Sequence, residues 1–388
     1  MDIVSVLAGV VAAQNASLAA YIIIKRRQRK HRAYWDVVRS QRCRNAYRNK
    51  VESRSAESFE ERVERWTEAD YRQKFRFKRT EIERLIEVLD VESCRYRNRY
   101  KPSPFKAMCI LLWRLGNQST LSSGVETFDR GRTYLSLVSN DLAKHLSERY
   151  KGLLDWDARR LTLDYLKACA RQLEARGCNK GVWGFIDGTF IETARPGEHQ
   201  VFSQRELYSG HKKKHGIQFQ GITTPDGMLS IAGPYRGNVG DMKMLVRSKL
   251  DDKLRAIISH LPEEEKLWLY GDKGYYAGSW CVYGAAKRAR GQRRLADEPF
   301  YSNVEMSRYR IEVEHAFGHV VNTFKFVDGG KKLRVGLTPV AAWYRVAVLL
   351  VNCLTCMRDG GNQTNIAFEI RPPTLDEYLR SVNERVDL

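Results

Sequence analysis

Near Gly181 the hydrophobic period of this 388-residue chain changes, and that change restricts the fold more than any other feature. Before it, apolar residues recur at helical spacing: Phe75, Phe77, Ile82, Leu85, Ile86 and Leu89 in one run, Ala107, Ile110, Leu111 and Leu115 in another. After it come short β-rich runs, Val182 to Phe190, Gln218 to Thr224, Met228 to Ala232 and Leu267 to Tyr270. The turn Pro225, Asp226, Gly227 joins the middle two as a hairpin, and a helix candidate, Asp241 to Leu250, precedes the last. Strand, hairpin, helix, strand and then helices is the order of a mixed α/β sheet. The expected organisation is a helical region over 1–178 and a mixed-sheet domain with closing helices over 179–388, ending on a short helix from Leu375 to Glu384.

Within the helical region, Thr120 to Phe128, a turn at Asp129 to Gly131 and Thr133 to Leu146 read as a helix-turn-helix, a unit that serves DNA reading or plain bundle packing. Residues 3 to 24 are apolar and run into Lys25, Arg26, Arg27, Arg29, Lys30 and Arg32. Gln14, Asn15 and Ser17 interrupt the stretch, so a helix docked on protein is preferred over a membrane anchor. The basic run after it fits a nuclear-import signal, a phosphate-contacting arm or a solvated charged face, and a nuclear location is expected. Lys and Arg outnumber Asp and Glu by 66 to 46, and a net charge of +20 favours a polyanionic partner, DNA first, over a small-molecule substrate. Eight scattered cysteines form no disulfide framework. The close pair Cys353 and Cys356 reads as buried thiols on a helix in preference to a zinc site.

Three acids stand at telling places. Asp187 closes the run Val182 to Ile186 before Gly188, Asp272 follows Leu267 to Tyr270 before Gly274, and Glu314 lies on a helix from Ser307 to Phe317 with Val313, Ala316 and Phe317 around it. Taken singly, an Asp before Gly is a turn residue, and a helical Glu is usually solvated. Taken together, carboxylates gathered at one sheet edge repel and are poorly solvated unless a cation compensates. A hard divalent ion with oxygen ligands, Mg²⁺ or Mn²⁺, suits such a set, and two ions about 4 Å apart activate an attacking oxygen and stabilise a departing one.

The segments WGFIDGT (Trp183 to Thr189), YSGHKKKH (Tyr208 to His215), TPDGM (Thr224 to Met228), YGDKGY (Tyr270 to Tyr275) and RIEVEHAFG (Arg310 to Gly318) occur in that order, and together they resemble the successive motifs of the PIF/Harbinger transposases and the nucleases derived from them. The resemblance is strong over about half the chain and looser over the helical region. It implies an RNase H-like catalytic domain of the DDE superfamily endonuclease type, cleaving phosphodiester bonds in DNA with two Mg²⁺ or Mn²⁺ ions, and possessing or lacking strand transfer. It carries the catalytic triad onto Asp187, Asp272 and Glu314. It also implies a separate Myb-like DNA-binding partner and a homo-oligomer. A domesticated DNA-binding protein without turnover is the competing reading.

The family has an acid after its second hairpin, matched by Asp241 in GNVGDMKML, but Gly240 stands where a His is common. Asp241 is therefore read as a helix N-cap beside the site in preference to a catalytic acid, while remaining a candidate metal ligand. Lys212, Lys213 and Lys214 between His211 and His215 read as a phosphate-facing loop, the histidines as orienting groups. A solvated turn is the alternative. Lys273, Arg308 and Arg310 flank the acids, to neutralise phosphates or to pair with the carboxylates themselves, and the basic stretch from Lys287 to Arg294 is a candidate DNA clamp.

Overall fold

Alternation and capping account for most of the elements. A computed structural model describes residues 57–197, 202–275, 279–286, 297–330, 333–358 and 361–383. The apolar stretch at 3–24, the basic run after it and the stretch at 287–294 lie outside the described residues. The chain divides into two compact units, one of residues 1–63 with 121–135, the other of 64–120 with 136–388.

In the smaller unit, helix α1 (Phe59–Arg65) begins on Phe59, whose ring packs on Phe128 at 5.2 Å. The large unit adds α2 (Glu68–Phe75), α3 (Arg79–Val88) and α4 (Pro104–Gly116); Thr67 caps α2 by accepting from Asp70 N, Glu81 of α3 accepts from Lys78 N, and Ser103 caps α4 by accepting from Lys106 N with Pro104 at the first helical position. Back in the smaller unit, a 3₁₀ turn at Leu121–Gly124 leads into α5 (Val125–Phe128) and, past a left-handed Asp129, into α6 (Arg132–Arg149), which belongs to the large unit from Ser136 on. A 3₁₀ turn, a four-residue helix and a long helix thus occupy the segment read as a helix-turn-helix. Arg62 ties the turn: its guanidinium donates to the carbonyls of Glu126 and Thr127 and pairs with Asp129 at 2.8 Å. A cation on the last carbonyls of a short helix satisfies acceptors that have no partner within the helix.

The large unit continues through α7 (Lys151–Asp155) and α8 (Leu163–Ala175) into a sheet. Strand β1 (Val182–Glu192) is central; β2 (Tyr208–Ser209) follows a short α9 (Gln204–Leu207), then β3 (Lys214–Thr223) and β4 (Leu229–Arg236). Helices α10 (Asp241–Ser248) and α11 (Leu250–Ile258) precede β5 (Trp268–Gly271) and β6 (Val282–Gly284), and α12 (Asp297–Thr323), α13 (Val340–Met357), α14 (Gln363–Phe368) and α15 (Leu375–Asn383) close the chain. The sheet is mixed: β4, β3 and β1 run antiparallel to their neighbours, and β5 and then β6 extend it parallel to β1.

Both faces are covered. Trp183, Ile186, Ile222 and Leu269 pack with Leu245, Leu254 and Ile258 from α10 and α11, while Phe185 and Tyr270 pack with Val313 and Phe368 from α12 and α14. A register shift between Val182 and Gly184 permits Trp183 and Phe185, two apart, to point to opposite faces. Edge strand β4 is guarded by Asn352 of α13, whose amide accepts from Leu229 N at 3.1 Å and donates to its carbonyl at 2.9 Å. Helix α13 is long and apolar enough to cross a membrane, but 83% of it is buried within the protein, as a core helix requires. It carries Cys353 fully buried and Cys356 partly so, with burial pushing both thiols up.

Candidate functional site

The parallel pairing of β1 with β5 ends at Ile186 opposite Gly271, so the next residue on each strand, Asp187 and Asp272, opens the cleft where the two backbones part. Each aspartate turns back on its own chain: Asp187 accepts from Gly188 N and Asp272 from Gly274 N, both at 2.7 Å. Asp187 does not end its strand, as the sequence reading had it. Strand β1 continues to Glu192 because β3 still pairs with it, Asp187 lying opposite Gly221.

Asp241 occupies a place that its sequence did not disclose. The N-cap of α10 is Gly240, and Asp241 is the first helical residue, so the capping role is not its own. A Cβ on Gly188 would stand 2.7 Å from Asp241 Oδ1, and one on Gly274 2.8 Å from Asp241 Oδ2 and 2.7 Å from Asp272 Oδ1. The Asp241 carboxylate therefore sits between the backbones that carry Asp187 and Asp272, in space that only glycine at 188 and 274 leaves free. Burial raises its pKa above the ordinary aspartate value and the neighbouring Asp272 charge raises it further; Lys212 and His211 partly offset both. The pKa of Tyr275, fully buried, is raised by burial and then by Asp241, with Asp187 and Asp272 adding to the same field. All three aspartates thus act on one phenol. Its oxygen accepts from Gln220 Nε2 at 3.1 Å, and Gln220 in turn accepts from Ser248 at 3.2 Å, a buried relay under the acids. Sequence reasoning assigned no role to Gln220 or Tyr275; Tyr275 closes the YGDKGY segment, a signal that was available, whereas nothing marked Gln220.

The sheet splits the acids between its faces. By strand alternation Asp187 shares the face of Phe185, toward α12, while Gly188 looks to α10 and Asp241. On the α12 side the ring of Phe317 lies 2.5 Å from where a Cβ on Gly221 would be, directly across from Asp187. Glu314 is one turn before Phe317 on α12 and is exposed, not turned inward as expected, because Val313 and Ala316 take the buried positions of that turn. Glu312 is engaged elsewhere, accepting from Thr364 Oγ1 at 2.9 Å.

The donor types fit a hard divalent cation: carboxylate oxygens, mutually repelling, where the pairing of β1 with β5 ends. The placement is open, however. Among the described residues no three His, Cys, Asp or Glu side chains form a set that could hold a metal ion. The fit is one of charge and donor type, with Asp241 and Asp272 on one side of the sheet edge and Asp187 and α12 on the other.

The basic residues distribute unevenly. His211, Lys212 and Lys213 form the exposed turn between β2 and β3, with Lys213 left-handed at φ 53°. Of these, His211 and Lys212 reach Asp241 electrostatically. Lys214 opens β3 and pairs with Glu192 at 2.7 Å, so its charge is partly spent within the protein. His215 packs its ring on Tyr208 at 5.1 Å. Lys273 is exposed in the 3₁₀ turn after Asp272, Arg308 is exposed on α12, and the side chain of Arg310 lies outside the described residues.

Residues 186–352 match the family model of the DDE superfamily endonucleases, a match that opens one residue before Asp187 and spans Asp241, Asp272 and Glu314. No curated protein and no solved structure matches the chain.

Proposed function

We propose that this chain is a metal-dependent DNA endonuclease, of the PIF/Harbinger kind within the DDE superfamily, on an RNase H-like domain. The observation that carries the reading is the Asp241 carboxylate wedged between Gly188 and Gly274, against Asp272 and beside the backbone of Asp187. Burying like charges side by side is unfavourable without a cation, and the endonuclease match covers the same acids. The sheet order supports the RNase H-like assignment: an antiparallel hairpin series on one side of β1 and parallel strands on the other.

Asp187, Asp272 and Asp241 would hold Mg²⁺ or Mn²⁺, two ions in the full site, with Glu314 swinging in from α12. When bound, the ions would supply activation of the attacking oxygen and charge neutralisation at the phosphate. The protein's own groups would do the rest: Lys212, Lys273 and Arg308 would take backbone phosphates, and His211 would orient the scissile one. Water excess yields hydrolysis, and a 3′ hydroxyl in the same position yields strand transfer. A nuclear location, a homo-oligomeric active form and a Myb-like partner belong to the same reading and rest on the family resemblance.

The test is nicking of supercoiled plasmid by the full chain with Mg²⁺ or Mn²⁺, against EDTA. Asp187→Ala and Asp272→Ala are each expected to lose on the order of a hundredfold or more, the size of losing one strong electrostatic stabiliser. Full activity in either variant overturns the assignment. A second reading, a DNA-binding protein without turnover, is favoured by the exposure of Glu314 and the open acid arrangement. Tight duplex binding with no nicking under any divalent cation would select it.

A further inference from the structure

Within the large unit, the loop ahead of α4 and the second half of α6 line a shallow, open groove of about 590 Å³. Asp141, Lys144, His145, Glu148 and Arg149 share one stripe of the helix at i, i+3 and i+4 spacing, and Ser93, Arg95 and Arg97 form the opposite wall. The loop is held in place. Buried Asp141 accepts from Arg97 N at 3.0 Å and from Arg97 Nε at 2.7 Å, and Ser93 Oγ donates to the Asp90 carbonyl at 2.9 Å and lies 3.2 Å from His145 Nε2. Just beyond, Asn98 and Arg99 are successive left-handed residues at φ 57° and 55°, a costly conformation for residues with side chains.

The charges in the groove do not balance. Arg97 is spent on Asp141 and Arg149 reaches Asp90 at 3.3 Å, whereas Arg95 and Lys144, both exposed, have no ion-pair partner among the described residues. Burial and then the Arg149 charge lower the His145 pKa, with Asp90 partly offsetting both. Glu148 is the one lining carboxylate without an ion pair among the described residues.

We propose that this groove is a second DNA contact, seating a backbone phosphodiester between Arg95 and Lys144, remote in sequence from the acid site. It rests on the reading of DNA as substrate. Two exposed cations with no ion-pair partner among the described residues hold duplex through its phosphates and release counterions as they do so.

The experiment measures duplex affinity of the full chain by fluorescence anisotropy across a salt series, with a mixed-sequence duplex longer than two helical turns. Losing one neutralised phosphate lowers the slope of log affinity against log salt by about 0.9, so the double variant Arg95→Ala, Lys144→Ala, which empties the single phosphate seat, is expected to lose about 0.9. Glu148→Gln, which takes a negative charge out of the same groove, is expected to tighten binding at low salt. An unchanged slope in the double variant, or a change seen with single-stranded RNA of the same length but not with duplex DNA, overturns the proposal. Plasmid nicking separates the two sites: a wild-type chain that never nicks yet shows the slope change leaves the groove standing and removes the nuclease reading. The reverse result, nicking intact with the slope unmoved, removes the groove alone.

Discussion

Asp241 is where residue-level chemistry is sharpest. Its folded-state pKa is raised, so the folded protein holds that proton more firmly than the unfolded chain does. The stability this group contributes is present at low pH and is lost as pH climbs from the ordinary aspartate value through the raised one. Asp241→Asn should therefore melt higher than wild type at pH 7 in EDTA, and no higher at pH 3, where both forms are neutral. The same variant should gain less from added Mn²⁺, since wild type recovers its lost stability by binding the ion. Melting curves in EDTA and in Mn²⁺ check both halves, and an Asn variant that gains as much from Mn²⁺ as wild type contradicts the role. Gly274→Ala tests the same space from the backbone side: a methyl 2.7 Å from Asp272 and 2.8 Å from Asp241 must push the acids apart, so nicking should fall with the circular dichroism spectrum unchanged.

At the scale of elements, α12 lies on the sheet through Phe317 over Gly221, and the glycine is needed because the ring fills the space of a Cβ. Gly221→Ala should cost about 1–3 kcal/mol, the usual penalty of overpacking, read as a lower denaturant midpoint. The β3–β4 hairpin is locked differently. Asp226, 1% exposed, accepts from Arg160 at 2.9 Å and from the Tyr165 hydroxyl at 2.6 Å, and Arg160 also faces Asp157 at 3.6 Å. Arg160→Ala strands two buried carboxylates and should cost about 3–5 kcal/mol, whereas retained stability would show the network to be dispensable. The elements legible in the sequence were those with a long period or a clear stop. Strand β1, the hairpin around Pro225 to Gly227, β5 and α15 lie where alternation and turn residues placed them. Strands β2 and β6, two and three residues long, are too short to show a period, and α11 lies beyond the helix candidate Asp241 to Leu250, past a left-handed Lys249 that separates it from α10.

At the scale of the whole molecule, the ordered motifs pointed to an endonuclease of the DDE superfamily, and the match over 186–352 supports that coarser statement. What the sequence could not supply was direction in space. Asp187 and Asp272 were legible as a pair because each follows a buried run and precedes a glycine turn, and β1 and β5 bring them to one cleft. Glu314 was read as inward from its apolar neighbours, but those neighbours take the inward positions themselves and leave it exposed. Asp241 was undervalued because an acid after glycine at a helix start looks like a cap; its contact with Gly188 and Gly274, 53 and 33 positions away along the chain, exists only in three dimensions. The most direct measurement is a crystal of the full chain soaked in Mn²⁺ and recorded at the manganese edge. Anomalous density bounded by the carboxylates of Asp187, Asp241 and Asp272, with Glu314 drawn toward it, is the expected result; an empty cleft between ordered acids at saturating Mn²⁺ would contradict the proposed chemistry.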